Sequence, residues 1–301
     1  MKRLCTILLA FILLLLLTSC SSDNKAADSG KLRVTVSFNA MKEFALAVGG
    51  DRVEIQTIIP DGTEPHDFEL KARDLVNLSK AQVFIYNGLG MEGWAEEAIK
   101  AADNKSLISV NASEGAELIA LAEHEGEEEH GHGSYDPHLW LSLKGAETEV
   151  ANIKAAFIEA DPINKDYYES NCQSFIEKLV ALYNKYSAKF EKLDNRLFIT
   201  GHAAFAYLCR DFGLIQSSVE NVFAEGEPSA RQLAELADYC RKNGVSTIFT
   251  EELASPEVSK ALANEVGAKT ETIYTISSDE DGLSYLERME INLSKIYDSL
   301  T

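Results

Sequence analysis

Residues 164–193 read NKDYYESNCQSFIEKLVALYNKYSAKFEKL, and this stretch decides how the rest of the chain is arranged. Apolar and aromatic residues recur in it at steps of three and four, and neither Gly nor Pro interrupts the run. These residues are Phe175, Leu179, Leu182, Tyr183, Tyr186 and Phe190. The periodicity predicts one helix. About 30 helical residues would span about 45 Å, long enough for a rigid spine between two blocks of structure.

On both sides of this helix, short apolar runs typical of strands alternate with helical segments. The predicted strands cover 32–37, 53–59, 83–86 and 107–110 before the long helix, and 197–200, 214–219, 247–250 and 270–274 after it. Such alternation indicates parallel βαβ units. We therefore predict an α/β protein with two lobes. Each lobe has a mainly parallel sheet flanked by helices, and one long helix bridges them.

The predicted domain boundaries follow from this alternation. The N-terminal lobe covers residues 31–162, the linking helix 163–193 and the C-terminal lobe 194–301. The length is typical of two domains of ordinary size.

The N-terminus indicates export. Lys2 and Arg3 precede the apolar run 4–17, which is shorter than the roughly 20 residues of a membrane span. Cys20, after Leu-Thr-Ser, resembles the acylated cysteine of a bacterial lipoprotein. We expect 1–19 to be a signal peptide and 20–30 a lipidated tether. The protein would then lie outside the cytoplasm, anchored to the outer face of the cell membrane.

Composition excludes some functions. The net charge of −20 argues against nucleic-acid binding, which needs a basic face. The cysteines Cys172, Cys209 and Cys240 form no CxxC pair and are odd in number. We expect free, buried thiols, with a Cys209–Cys240 bridge as the open alternative. HExxH, GxSxG and GxxxxGK[ST] motifs are absent from the sequence, which argues against an enzyme.

Three isolated histidines point to a metal site. They are His66 in Glu-Pro-His-Asp, His138 in Asp-Pro-His-Leu-Trp and His202 in Thr-Gly-His-Ala. Neutral imidazole is the commonest protein ligand for zinc. His66 follows the strand 53–59 and His202 follows the strand 197–200, and ligands bind outside the carboxyl ends of strands in open parallel sheets. We expect all three histidines to converge on a cleft between the lobes.

The other three histidines lie in the acidic run 122–133, AEHEGEEEHGHG. They are His124, His130 and His132. A tract of His with Glu is a compositional signal for metal binding, and its charge predicts disorder. We expect an auxiliary loop that recruits metal weakly. The alternative is a solvated linker.

Five segments of the sequence, three of which contain the isolated histidines, carry a resemblance to a known family. They are 64–69 (EPHDFE), 86–94 (YNGLGMEGW), 136–140 (DPHLW), 201–205 (GHAAF) and 249–251 (FTE). Together they resemble the zinc/manganese-binding lipoproteins of bacterial ABC importers, the cluster A-I solute-binding proteins, over about residues 31–301. The resemblance implies a metal between two α/β lobes, with ligand roles for His66, His138 and His202.

The resemblance also implies partners and a cargo. The partners would be an ABC permease and its ATPase subunit, with the binding protein itself a monomer. Because the third position is His202, where manganese-specific relatives tend to have a carboxylate, Zn²⁺ is expected over Mn²⁺.

One departure from the family concerns the fourth ligand. Relatives carry Asp or Glu in the loop before the last helix, at positions that fall here on 275–277, a Thr-Ile-Ser segment. Asp279 is the preferred substitute, with Glu280 or a water molecule as the alternatives.

The sequence therefore predicts a high-affinity zinc-capture protein that is not an enzyme. Two alternatives remain at this point. A zinc hydrolase is one, because three histidines and a water also hold catalytic zinc. A surface adhesin lipoprotein is the other, supported by the lipid anchor.

Overall fold

The computed structural model describes residues 30–121, 133–224, 228–253, 255–279 and 281–301. Residues 32–301 form one compact unit. The predicted signal peptide, most of the tether and Cys20 lie outside the described residues. Within the described part of the chain, no helix combines the length and the apolar character that crossing a membrane requires.

The first lobe is built on a parallel four-stranded sheet in the order β2-β1-β3-β4. Its strands are β1 (Leu32–Val36), β2 (Val53–Thr57), β3 (Val83–Tyr86) and β4 (Ile108–Asn111). The helices between them are α1 (Asn39–Gly49), α2 (Asp74–Lys80) and α3 (Ala95–Ala101). The four strands predicted before the long helix are thus confirmed, with ends that differ by one or two residues.

Two helices connect the lobes. Helix α4 (Leu143–Ala160) begins at Ser142, whose hydroxyl accepts a hydrogen bond from the backbone N–H of Gly145. Helix α5 (Lys165–Phe190) is the predicted spine, and its 26 residues span about 39 Å. It ends at Phe190, three residues before the predicted end. Helix α5 packs on α1 and α4.

The second lobe repeats the topology of the first, with the strand order β6-β5-β7-β8. Its strands are β5 (Leu197–His202), β6 (Ile215–Glu220), β7 (Thr247–Glu251) and β8 (Lys269–Ile273). Its helices are α6 (Ala206–Phe212), α7 (Ala230–Lys242), α8 (Glu257–Val266) and α9 (Tyr285–Ser299). Helix α9 also packs on α5, so the spine contacts both lobes. The α/β architecture with two parallel sheets agrees with the prediction.

One apolar core runs through both lobes. It joins Val34 and Ile85 of the first sheet, through Tyr168 and Phe190 of helix α5, to Phe249 of the second sheet. Because the core is continuous, the two sheets hold the side chains at their facing edges in fixed relative positions. The domain boundaries at 162/163 and 193/194 stay a prediction. The three cysteines named above are free and buried, as expected.

Candidate metal centre

Each isolated histidine is placed by a short, well-defined piece of backbone. His66 lies in a single helical turn, Pro65–Asp67, in the segment that follows β2. His138 directly precedes the turn Leu139–Leu141 that leads into α4. His202 is the last residue of β5, whereas the sequence placed it just after that strand. Two histidines therefore come from the first lobe and one from the second.

The three imidazoles converge. The Nε2 atoms of His66 and His138 are 3.2 Å apart, and those of His202 and His138 are 3.4 Å apart. One ligand atom from each of the three lies within 4.8 Å of the others, and among the described residues no other group of three His, Cys, Asp or Glu does this. In a tetrahedral zinc site with Zn–N bonds of about 2.0–2.1 Å, two ligand nitrogens are about 3.3 Å apart. The spacing thus fits one tetrahedral ion.

His138 is oriented by a buried carboxylate. Its Nδ1 lies 2.9 Å from Oδ1 of Asp136, which also accepts the backbone N–H of His138 at 2.9 Å. The hydroxyl of Tyr207 donates to the carbonyl of Asp136 and so fixes that turn. Burial lowers the pKa of His138, although the Asp136 carboxylate opposes this. The ring is therefore held neutral, in its metal-binding form, with Nε2 free to face the site.

His202 is held by a carboxylate of the second sheet. Oε1 of Glu251 accepts the backbone N–H of His202 at 3.0 Å and lies 3.6 Å from its Nδ1. Gly201 makes this approach possible, since a Cβ there would lie 2.0 Å from Oε2 of Glu251. Burial lowers the pKa of His202, but the negative charges of Glu251, Glu64 and Glu220 outweigh it, and the net pKa is raised.

His66 is the least buried of the three histidines and lies nearest the solvent. Its ring makes an edge contact with Phe223, with ring centroids 5.9 Å apart. Glu64, two residues before it, is partly buried in the same region. Burial raises the pKa of Glu64 to about 6, against the opposing effect of His202. The surroundings of the three rings are therefore acidic, which would compensate the charge of a bound cation.

Asp279 lies outside the histidine group. Its Oδ2 accepts a hydrogen bond from Nζ of Lys42 at 3.1 Å, and its Oδ1 accepts one from Arg288 at 3.0 Å. The preceding loop is held by Glu252, whose carboxylate accepts the backbone N–H groups of Thr275 and Ile276. Glu280, His124, His130 and His132 lie outside the described residues. The structure thus brings together three of the predicted ligands and pairs Asp279 with two cations.

Glu251 is the contact that sequence reasoning missed. It stood in the sequence only as part of a family motif, FTE at 249–251, with no link to His202. The link depends on β5 and β7 being neighbours in the second sheet. The signal available in the sequence was Gly201 directly before His202, a small residue where another group approaches the backbone.

The fold and the site together define a two-lobed protein with a group of three histidines, drawn from both lobes, that could hold a metal ion. The family model described as zinc-uptake complex component A, periplasmic (ZnuA), matches residues 34–299. The chain belongs to this family.

Two relatives and one solved structure show how far the similarity extends. A metal-binding protein of Treponema pallidum (strain Nichols) is 44% identical over 93% of this chain and 90% of its own length. The high-affinity zinc uptake system protein ZnuA of Bacillus subtilis (strain 168) is 38% identical over 95% and 94%. A crystal structure of a zinc-bound ZnuA lacking residues 138–173 of its own numbering has a TM-score of 0.79 at 29% identity, covering 90% of this chain and 98% of that one.

Proposed function

We propose that this protein is the extracytoplasmic zinc-binding component of an ABC importer, which captures Zn²⁺ between its lobes and delivers it to a membrane permease. The observation that carries the proposal is the convergence of His66, His138 and His202, with one ligand atom of each within 4.8 Å of the others. Three nitrogen donors favour zinc over manganese, which prefers oxygen.

The charges around the site support a divalent cargo. Three neutral imidazoles leave the +2 charge of zinc uncompensated in a buried place. Asp136 and Glu251 approach the far sides of His138 and His202, and Glu64 adds a third carboxyl group nearby. Carboxylates in this position orient the rings and make them better donors.

The fourth coordination position is open to Asp279, Glu280 or a water molecule. Asp279 would have to give up Lys42 and Arg288 to reach the metal. Breaking two ion pairs to form one bond is costly, so this arrangement disfavours Asp279 and leaves Glu280 or water as the fourth ligand.

Delivery requires partners and an anchor. We infer an ABC permease with its ATPase subunit, a lipid at Cys20 that keeps the protein at the outer face of the membrane, and action as a monomer. His124, His130 and His132 would supply an auxiliary zinc-recruiting loop.

A hydrolase would bind zinc in a similar way, but the family is one of transport components. The adhesin alternative is supported by the anchor and by the similarity to laminin-binding proteins of streptococci, but one of these also transports metal, so adhesion does not replace zinc uptake as the main proposal.

Competitive zinc titration of the wild-type protein and of three single His→Ala variants tests the site. We expect the wild type to bind one zinc ion tightly. Replacing His66, His138 or His202 by Ala should weaken this binding by orders of magnitude, because zinc affinity depends on the number and geometry of the ligands. His130→Ala is the matched control and should retain the tight equivalent. Wild-type affinity in His202→Ala, or turnover of esters or phosphoesters by the zinc-loaded protein, would contradict the proposal.

A further inference from the structure

A second set of polar side chains lies at the carboxyl ends of three neighbouring strands of the first sheet. Ser37 follows β1, Asn87 follows β3 and Ser113 follows β4. The backbone ties them together: Ser37 donates to the carbonyl of Ile85 at 2.9 Å, and Ser113 donates to that of Asn87 at 3.2 Å. The three side chains therefore share one edge of the sheet.

Helix α4 brings a carboxyl group over this edge. Glu149 is completely buried, one turn before Asn152. The side chain of Asn152 donates to the carbonyls of Ala112 and Glu114, which flank Ser113. Since residues three apart lie on the same face of a helix, Glu149 faces the strand ends as well.

A second buried carboxylate closes the set. Glu92 accepts the backbone N–H groups of Asn87 and Gly88, each at 2.9 Å. Burial raises the pKa of Glu149 well above its usual range, and the charge of Glu92 raises it further. The two acids are therefore close enough to repel each other. We call the whole set the Glu149 cluster: Ser37, Asn87, Glu92, Ser113 and Glu149.

The cluster is short of partners. Among the described residues, four buried oxygen atoms of the cluster have no hydrogen-bond partner. They are both carboxyl oxygens of Glu149, the hydroxyl oxygen of Ser113 and Oδ1 of Asn87. The hydroxyl of Ser37 is instead paired with the Glu92 carboxylate and opposes the rise in the pKa of Glu92 that burial causes. Buried polar atoms are nearly always paired, and an orphaned group points to a water or an ion. A shared ligand explains four such atoms at one sheet edge better than four separate defects.

The donor set identifies the class of ligand. All four orphaned atoms are oxygens, and two of them belong to the carboxyl group of Glu149. Hard cations such as Ca²⁺ take carboxylate, amide and hydroxyl oxygens, whereas zinc prefers nitrogen and sulfur. A cation would also stabilise the ionised form of Glu149, which burial and the charge of Glu92 otherwise disfavour. We propose that the Glu149 cluster is a buried binding site for a hard cation such as Ca²⁺, which ties the strand ends of the first lobe to helix α4.

Thermal melting of the full-length, zinc-free protein tests this. The probes are CaCl₂ and NaCl, each compared with choline chloride at equal ionic strength. A ligand that binds only the folded state raises the melting temperature. We expect Ca²⁺ or Na⁺ to raise it by about 3 °C or more in the wild type, and by less than about 1 °C in Glu149→Gln.

Two further variants complete the test. Glu147→Gln makes the same change on a more exposed position of α4 and should keep the full shift. Ser113→Ala removes one of the orphaned oxygens, should fold normally, and should need a several-fold higher cation concentration for the same shift. Equal melting temperatures in all three salts for the wild type would overturn the proposal, and so would an undiminished shift in Glu149→Gln.

Discussion

The carboxylate of Asp279 accepts a hydrogen bond from Nζ of Lys42 at 3.1 Å, and this contact ties the loop after β8 to helix α1 of the other lobe. Neighbouring contacts do the same. Asn39 of α1 donates to the carbonyls of Ile276 and Ser278, and the hydroxyl of Ser278 accepts the backbone N–H of Gly62. The loop in which relatives carry the fourth ligand is therefore a contact between the lobes in this protein.

Replacing Asp279 by Asn separates this structural role from a role in metal binding. We expect zinc affinity within about threefold of the wild type, because the carboxylate is engaged by Lys42 and Arg288. The free energy of unfolding should fall by roughly 0.2–1 kcal/mol, the range for partly exposed ion pairs. Calorimetric zinc titration and urea unfolding measure the two effects.

Asp281→Asn is the matched control for that variant. Asp281 shares Arg288 with Asp279 but, among the described residues, forms no ion pair with Lys42 of α1, so Asp281→Asn should lower stability without changing zinc binding. A loss of zinc affinity of tenfold or more in Asp279→Asn alone would make Asp279 the fourth ligand after all.

We also expect the effect of Asp279→Asn on stability to depend on pH. The hydrogen bond from Lys42 lowers the pKa of Asp279, and Arg288 lowers it further. A carboxyl group whose pKa is depressed on folding stabilises the protein above its unfolded pKa of about 3.9, and this stabilisation is lost as pH falls through the folded pKa. The difference in unfolding free energy between wild type and Asp279→Asn should therefore be largest near pH 6–7 and shrink below about pH 4. Urea unfolding at pH 7 and pH 3 measures it, and a difference that grew on acidification would contradict the ion-pair assignment.

The sequence predicts most of this fold because its signals are local. Apolar runs and the uninterrupted periodicity of 164–193 locate eight strands and the long helix within a few residues. The three site histidines are also found locally, because each lies at a strand end or a turn. The pairing of Lys42 with Asp279 spans 237 positions and leaves no local trace.

Glu149 shows a second limit of sequence patterns. It lies at a helical step from Ala146 and Ile153, on the face of α4 that is buried, but a single Glu in an amphipathic helix is usually exposed. Its burial depends on three strand ends that only the assembled sheet brings together. The helical period of the sequence places Glu149 on the inner face of α4, but only the tertiary structure determines whether its carboxyl group is exposed to water.

Glu251 should contribute to zinc binding without touching the metal. Glu251→Gln keeps the shape but removes the negative charge beside His202, and changes of this kind cost about 10–100-fold in metal affinity. Gly201→Ala should have a comparable effect, because the added Cβ would lie 2.0 Å from Oε2 and displace the carboxylate. Competitive zinc titration measures both.

Glu257→Gln, at the start of α8, removes one acidic charge of the second lobe and serves as the control. It should bind zinc as the wild type does. If Glu251→Gln and Glu257→Gln bound zinc with equal affinity, Glu251 would act only through the protein's overall charge.

Zinc binding should weaken as pH falls. Protonated imidazole cannot ligate, so zinc and protons compete for the same nitrogens. The net pKa of His202 is raised by its acidic neighbours, whereas burial lowers the pKa of His138, so His202 is protonated before His138 as pH falls. We expect the affinity at pH 5.5 to be at least about tenfold weaker than at pH 7.5, with protons released on binding at the higher pH. Chelator competition at both pH values measures this, and equal affinities would exclude imidazole ligation.

The acidic segment 122–133 should supply a second, weaker zinc equivalent. Its composition predicts disorder, and ordering a disordered segment around a metal costs roughly 1–2 kcal/mol per residue in backbone entropy. A site formed by His124, His130 and His132 should therefore bind less tightly than the preformed site of His66, His138 and His202. Deleting residues 123–133 should remove the weak equivalent, leave the tight one intact, and impair growth only when zinc is scarce.

Replacing the three loop histidines by Asn, with every Glu retained, separates imidazole ligation from attraction by charge and should give the same loss. Calorimetry that showed identical binding steps with and without the segment would leave it as a solvated linker.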